Sequence, residues 1–148
     1  MNYADKSPAF IAANQGFDVW LGNSRGNKYS SGHTSLDPVK DAIEYWSFDW
    51  VEMGRYDVPA SIDYILNATN FEKVAYVGHS AGTTQMFSVL SDHEDMLADK
   101  VSAFVAMGPA SKITNIGHPI ARIAAHYLTA FVQNLTNYFE IYTKGSND

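Results

Sequence analysis

The chain has 148 residues, 46% of them hydrophobic and 18% charged, which fits one domain around one core and excludes a disordered chain. The net charge of -6 argues against a nucleic-acid partner. The absence of cysteine excludes disulfides, thiol catalysis and cysteine-based zinc sites.

No run of about 18 apolar residues reads as a membrane span. The start, Met1-Asn2-Tyr3-Ala4-Asp5-Lys6, lacks the basic and apolar regions of a signal peptide. Ser7 to Gln15 reads as a short helix with Phe10, Ile11 and Ala13 as its apolar residues and Gly16 as its stop. Phe17 to Leu21 reads as a strand, and Gly22 to Asn27 as a turn-rich loop at its C-terminal end. Loop continues from Ser30 to Leu36. Asp37 is placed to cap a helix with Pro38 at its first position, and Val39, Ala42, Ile43 and Trp46 recur on one face. The aromatic-heavy run of Trp46, Phe48, Trp50 and Met53 is expected in the core rather than in a binding site.

Asp57 is the expected cap of the next helix, with Pro59 just inside it, a buried stripe of Ile62, Ile65 and Leu66, and a break at Asn70. Val74 to Val77 is a second strand, nearly continuous in apolar residues, as a parallel strand covered on both faces requires. It runs straight into Gly78-His79-Ser80-Ala81-Gly82, and a helical pattern follows from Ala81 to about Leu90. Strand, sharp turn and helix, with a serine at the apex, is the context of a nucleophile elbow. Such a corner is strained and brings helix close to strand, and both conditions favour glycine at Gly78 and Gly82. The helix directs its unpaired N–H groups and positive dipole end beside Ser80, where the Ala81 N–H would stabilise a developing oxyanion. Asp92 to Asp95 is a solvated loop, Val101 to Met107 a third buried strand, and Gly108-Pro109 ends it.

This alternation predicts an α/β fold: an open, mostly parallel sheet with crossover helices, its site at the C-terminal ends of the strands. From Pro119 onward, Ile120, Ile123, Tyr127, Phe131, Tyr138 and Tyr142 recur at helical spacing. One long amphipathic helix or two short ones fits. Such an aromatic stripe could contact a lipid interface, but packing on the sheet is the more common reason for it.

Several blocks together resemble the acid lipases of the α/β-hydrolase superfamily, the group that holds the gastric, lysosomal acid and lingual lipases. They are Gly16-Phe17-Asp18-Val19-Trp20-Leu21-Gly22-Asn23-Ser24-Arg25-Gly26-Asn27, with His33 after it, then Glu44-Tyr45-Trp46-Ser47-Phe48 and Tyr56-Asp57-Val58-Pro59-Ala60. Val77-Gly78-His79-Ser80-Ala81-Gly82-Thr83-Thr84-Gln85 and Val105-Ala106-Met107-Gly108-Pro109-Ala110 follow. The match runs from about Ser7 to about Pro119. It implies a partial α/β-hydrolase domain over 1–148, with the central sheet and elbow in 1–110 and the start of a helical cap in 111–148. It implies Ser80 as nucleophile and the Ala81 backbone N–H as an oxyanion donor. The family usually has Gln where Ala81 stands, and the N–H survives that change. His79 takes a structural role. The implied substrates are lipid carboxylic esters, triacylglycerols or sterol esters, the implied setting is secreted or lysosomal, and no cofactor or metal is implied.

A serine hydroxyl needs a base, and the base an orienting carboxylate; in this superfamily they follow the serine as Asp or Glu, then His. Beyond Ser80 the chain offers Asp92, Asp95, Asp99, His93, His118 and His126, none after the further strands that the order demands. The His-Gly loop that gives the second oxyanion donor is expected upstream of a helix like 7–15. The chain therefore reads as an internal piece of a longer lipase, expected to be marginally stable and aggregation-prone when made alone. The alternatives are another esterase, thioesterase or peptidase on the same fold, or an inactive truncated relative. The five histidines show no metal-ligand spacing, and Gly22 to Gly26 lacks a dinucleotide fingerprint. Asn67 and Asn134 head glycosylation sequons, meaningful only in a secreted protein.

Overall fold

A computed structural model describes Tyr3 and residues 5–111. The expected cap region, with its aromatic stripe from Pro119 on, lies outside the described residues, as do His118, His126 and Asn134.

The chain opens with α1, Pro8–Asn14, with proline at its first position, where the missing N–H costs no bond. Gly16 follows with φ of +90°, the left-handed stop that the sequence predicts. Then come two short pieces, α2 (Ala42–Tyr45) and α3 (Trp50–Glu52). α3 starts in a capping box: the Asp49 side chain accepts from the Val51 N–H, and the Glu52 carboxylate accepts from the Asp49 N–H. A π turn, Met53–Asp57, runs on from α3 into α4, Val58–Thr69. Asn70 adopts the left-handed conformation and ends α4. Strand β1 (Val74–His79), helix α5 (Ala81–Asp92), a 3₁₀ turn (Glu94–Met96) and strand β2 (Val101–Met107) complete the described chain.

β1 and β2 pair in parallel, with α5 as the connection between them. The register runs Ala75 to Ala103 through His79 to Met107, after an irregularity at Val74. Val58 and Ile62 of α4, Met86 and Val89 of α5, and Leu97 form the buried core, against which Val74, Tyr76, Val101 and Phe104 of the sheet pack. The same α4 face that the sequence marks as apolar is thus the one that enters this core. The opposite face of the sheet is bare among the described residues: Val77 is 57% exposed and Val105 48%.

Three expectations are corrected. The run of Trp46, Phe48, Trp50 and Met53 is not in the core: Trp50 is 50% exposed and none of the four belongs to the buried cluster. Phe17 to Leu21 forms no strand, and Phe17 and Leu21 are 70% and 72% exposed. A strand exists only with a hydrogen-bonded neighbour, and the one described sheet is β1 with β2. Trp20 leans instead on Tyr64 of α4, edge to face. The helix expected from Asp37 shrinks to the single turn α2, and its expected apolar face is open, with Ile43 93% exposed. Asp37 does accept from the Val39 and Lys40 N–H groups, which draws its carboxyl below the ordinary carboxylate range. Those bonds close a turn rather than start a helix, since one short turn cannot offset the cost of nucleation. The buried side chain here is Tyr45, whose hydroxyl donates to the Ser31 carbonyl at 2.7 Å.

Candidate active site

Ser80 stands where β1 ends and α5 begins. Its φ of 50° and ψ of -113° fall where an L-residue with a side chain is strained. The backbone around it is pinned. The Ser80 N–H donates to the Met107 carbonyl at the end of β2, at 3.0 Å, and the Ser80 carbonyl accepts from the Thr83 N–H at 2.9 Å.

The corner closes so tightly that Gly78 cannot carry a side chain. A Cβ there would lie 2.9 Å from both the carbonyl carbon and oxygen of Gly82. At Gly82 itself a Cβ would meet only the Tyr76 hydroxyl, at 3.8 Å. The need for glycine expected at both positions is therefore a need at Gly78, imposed by the Gly82 backbone. That backbone is held from below by Tyr76, whose hydroxyl donates to the Gly82 carbonyl at 3.0 Å. Burial raises the Tyr76 phenol above its ordinary value.

The Ser80 side chain is exposed. Ala81 begins α5, so its N–H belongs to the first turn, which has no intrahelical acceptor, at the positive end of a 12-residue helix. The corner thus offers an open hydroxyl beside a backbone donor. Among the described residues nothing hydrogen-bonds the Ser80 hydroxyl. His79 is exposed on the strand next to it, near the turn at Gly108, where an added Cβ would lie 3.9 Å from Nε2. His93 caps the far end of α5, about 18 Å from Ser80 along a helix of 12 residues, and accepts from Arg55 Nε at 3.0 Å. Asp92, Asp95 and Asp99 are exposed around that same far end. Among the described residues none of these side chains is hydrogen-bonded to Ser80. His33 is taken up locally, with Nδ1 accepting from the Ser35 and Leu36 N–H groups. Among the described residues no cluster of three or more His, Asp or Glu is placed to hold a metal, and no helix is long and apolar enough to cross a membrane. The hollow between α5 and β2, ≈ 230 Å³ and lined by Leu90, Leu97 and Phe104 among others, opens by the far half of α5 and not beside Ser80.

The sequence left three other contacts unread. Asp57 does not cap α4 with its side chain. It receives the Arg25 N–H at 2.9 Å and the Arg25 guanidinium at 2.8 and 2.6 Å. Gln85, one turn into α5, donates to Ser24 Oγ at 2.9 Å and accepts from it at 3.1 Å. Thr83 and Thr84 both reach Ala110, beyond β2. The 22–27 loop was legible as a loop after an apolar run, but nothing in its spacing shows which residues it binds.

A family-wide profile of the alpha/beta hydrolase fold matches residues 3–140. Human lysosomal acid lipase/cholesteryl ester hydrolase is 46% identical over 122 residues, 82% of this chain and 30% of that protein. Lipase 1 of Drosophila melanogaster is 44% identical over 128 residues, 85% of this chain and 28% of its own length. Mouse gastric triacylglycerol lipase is 43% identical over 123 residues, 83% of this chain and 30% of that protein. The chain thus spans about a third of the length of the curated relatives it matches. The parallel strands, the crossover helix and the serine corner are the parts of that fold seen here, and the chain belongs to the α/β-hydrolase fold family, among its acid-lipase-like members.

Proposed function

We propose that this chain carries the nucleophile of a serine hydrolase acting on lipid carboxylic esters, triacylglycerols or sterol esters. The observation that carries the reading is the positive φ of Ser80 at the junction of β1 and α5, strain of the kind kept where a side chain must stand clear of its backbone. The substrate class follows the relatives, whose names specify a cholesteryl ester hydrolase and a triacylglycerol lipase.

In this mechanism a base removes the Ser80 proton as Oγ attacks the ester carbonyl. The tetrahedral oxyanion is held by the Ala81 N–H and the first turn of α5. Its collapse expels the alcohol, which takes that proton from the base, and leaves an acyl-serine; the freed base then takes a proton from water, whose attack releases the fatty acid and returns the proton to Ser80. A protein of the relatives' length has room for that base, its carboxylate and a second oxyanion donor. The setting is lysosomal or secreted, and a lipid interface is where such a substrate is met.

The test is a fluorophosphonate probe on the full-length product, with Ser80→Ala beside it. Label on Ser80, lost in Ser80→Ala, is expected; label retained in Ser80→Ala would overturn the assignment. Rates against long-chain esters, short esters and thioesters then set the substrate class, because the described residues form no acyl pocket beside Ser80.

A further inference from the structure

Thr83 is fully buried, although a threonine on the first turn of a helix has an easy route to solvent. Its hydroxyl is used twice. It donates to the Ser80 carbonyl at 2.6 Å and accepts from the Ala110 N–H at 3.0 Å. The next residue, Thr84, donates its hydroxyl to the Ala110 carbonyl at 2.7 Å. Two consecutive side chains of α5 therefore hold both polar groups of one residue, three positions beyond the end of β2. A threonine bonding back to its own helix is commonplace; a second bond to a segment 27 residues on is not local. It fixes Ser80 to the chain that leaves β2 through the left-handed turn at Gly108.

We infer that Thr83 is a positioning residue for Ser80, with Thr84 as its helper: the pair ties the 108–110 segment to the strained serine corner, so that the place of Ala110 sets the place of the Ser80 hydroxyl. The geometry gives the reason. The Ser80 peptide is gripped at its N–H by Met107 and at its carbonyl by Thr83, and both grips lead to the end of β2. A hydroxyl at this site does what a methyl of the same size cannot. It satisfies a part-buried N–H and orients a carbonyl at once. This inference rests on Ser80 being the nucleophile.

The test uses the full-length protein and compares Thr83→Val, Thr83→Ser and Thr84→Val with Ser80→Ala. Val matches threonine in shape and lacks the hydroxyl, whereas Ser keeps it. The readouts are the rate of fluorophosphonate acylation, kcat and KM for a soluble short-chain ester, and the melting temperature. Thr83→Val is expected to slow acylation and lower kcat at least tenfold with KM little changed, Thr83→Ser to recover most of that loss, and Thr84→Val to give a smaller loss in the same sense. Should Thr83→Val fail to fold, Thr84→Val carries the test alone. Acylation at the wild-type rate in a folded Thr83→Val, or in Thr84→Val where that variant is the only one left, overturns the inference while the loss of label in Ser80→Ala leaves the nucleophile standing. A Thr83→Ser variant as slow as Thr83→Val also overturns it, since packing of the methyl would then be the cause. Label persisting in Ser80→Ala removes the nucleophile itself.

Discussion

Arg25 and Asp57 meet through three hydrogen bonds: the Arg25 backbone N–H donates to Oδ2 at 2.9 Å, and the guanidinium Nε and Nη2 donate to Oδ1 at 2.8 and 2.6 Å. The guanidinium also lies over the Phe48 and Tyr56 rings, 5.7 and 5.5 Å from their centroids. One carboxylate thus clamps the 22–27 loop to the start of α4, with aromatic rings beside the cation. The Asp57 side chain is 17% exposed and that of Arg25 34%, so solvent screens the pair in part.

Asp57→Ala is expected to lower stability by about 1–3 kcal/mol, most of it from the Arg25 donors left without an acceptor. Arg25→Lys is expected to cost part of that, because an ammonium replaces neither the fork nor the ring contacts. Urea midpoints of the two variants check this. If both melt like the parent, the clamp carries no weight.

Gly78→Ala places a methyl 2.9 Å from the Gly82 carbonyl group, backbone that cannot swing aside. The expected cost is about 1–3 kcal/mol, together with loss of reactivity at Ser80, since the corner must open to admit the methyl. Gly82→Ala is the control. Its Cβ meets only the Tyr76 hydroxyl at 3.8 Å, and it is expected to leave the corner closed. Thermal melts and probe labelling of both variants decide the matter, and equal behaviour would refute it.

Tyr76 makes stability depend on alkaline pH. Burial raises its phenol above the ordinary value, so the folded chain keeps a proton that the unfolded chain releases. The effect is absent below the unfolded pKa of about 10, and stability falls as pH rises from there through the folded value. Tyr76→Phe removes the titrating group along with the bond to Gly82. It is expected to start less stable at pH 8 and to lose less between pH 9 and 11. Melting temperatures over that range measure both, and parallel curves would exclude the phenol as the cause.

The sequence made α4, β1, α5 and β2 legible because each combines a strong apolar period with a clear stop, and all four meet in one core. Asn70 and Gly16 were readable as stops, since a left-handed residue ends a helix wherever its surroundings allow. Ser80 was legible from strand, glycine and helix in sequence. The Phe17 to Leu21 run was misread because pairing decides a strand and composition does not. The helix from Asp37 was misread because its capping bonds were equally able to close a turn. Asp57 was read as a cap when a cation 32 residues earlier had a better claim on its carboxylate. Thr83, Thr84 and Gln85 were passed over for a related reason: a side-chain bond across the fold leaves no periodic trace in the chain.

The π turn at Met53–Asp57 bears on which length changes this protein tolerates. Between Trp50 and Thr69 the helical run holds one residue beyond what regular α-helix needs. Loss of Arg55, which is exposed and whose side chain among the described residues donates to His93, lets that turn close and leaves the faces on either side pointing as before. Loss of Ala60, inside regular α4, rotates all that follows by about 100° and takes Ile62 and Leu66 off the core. The shorter chain should melt cooperatively in the first case and not in the second. One five-residue stretch is thus a joint from which a single residue can be lost without refolding what lies beyond it.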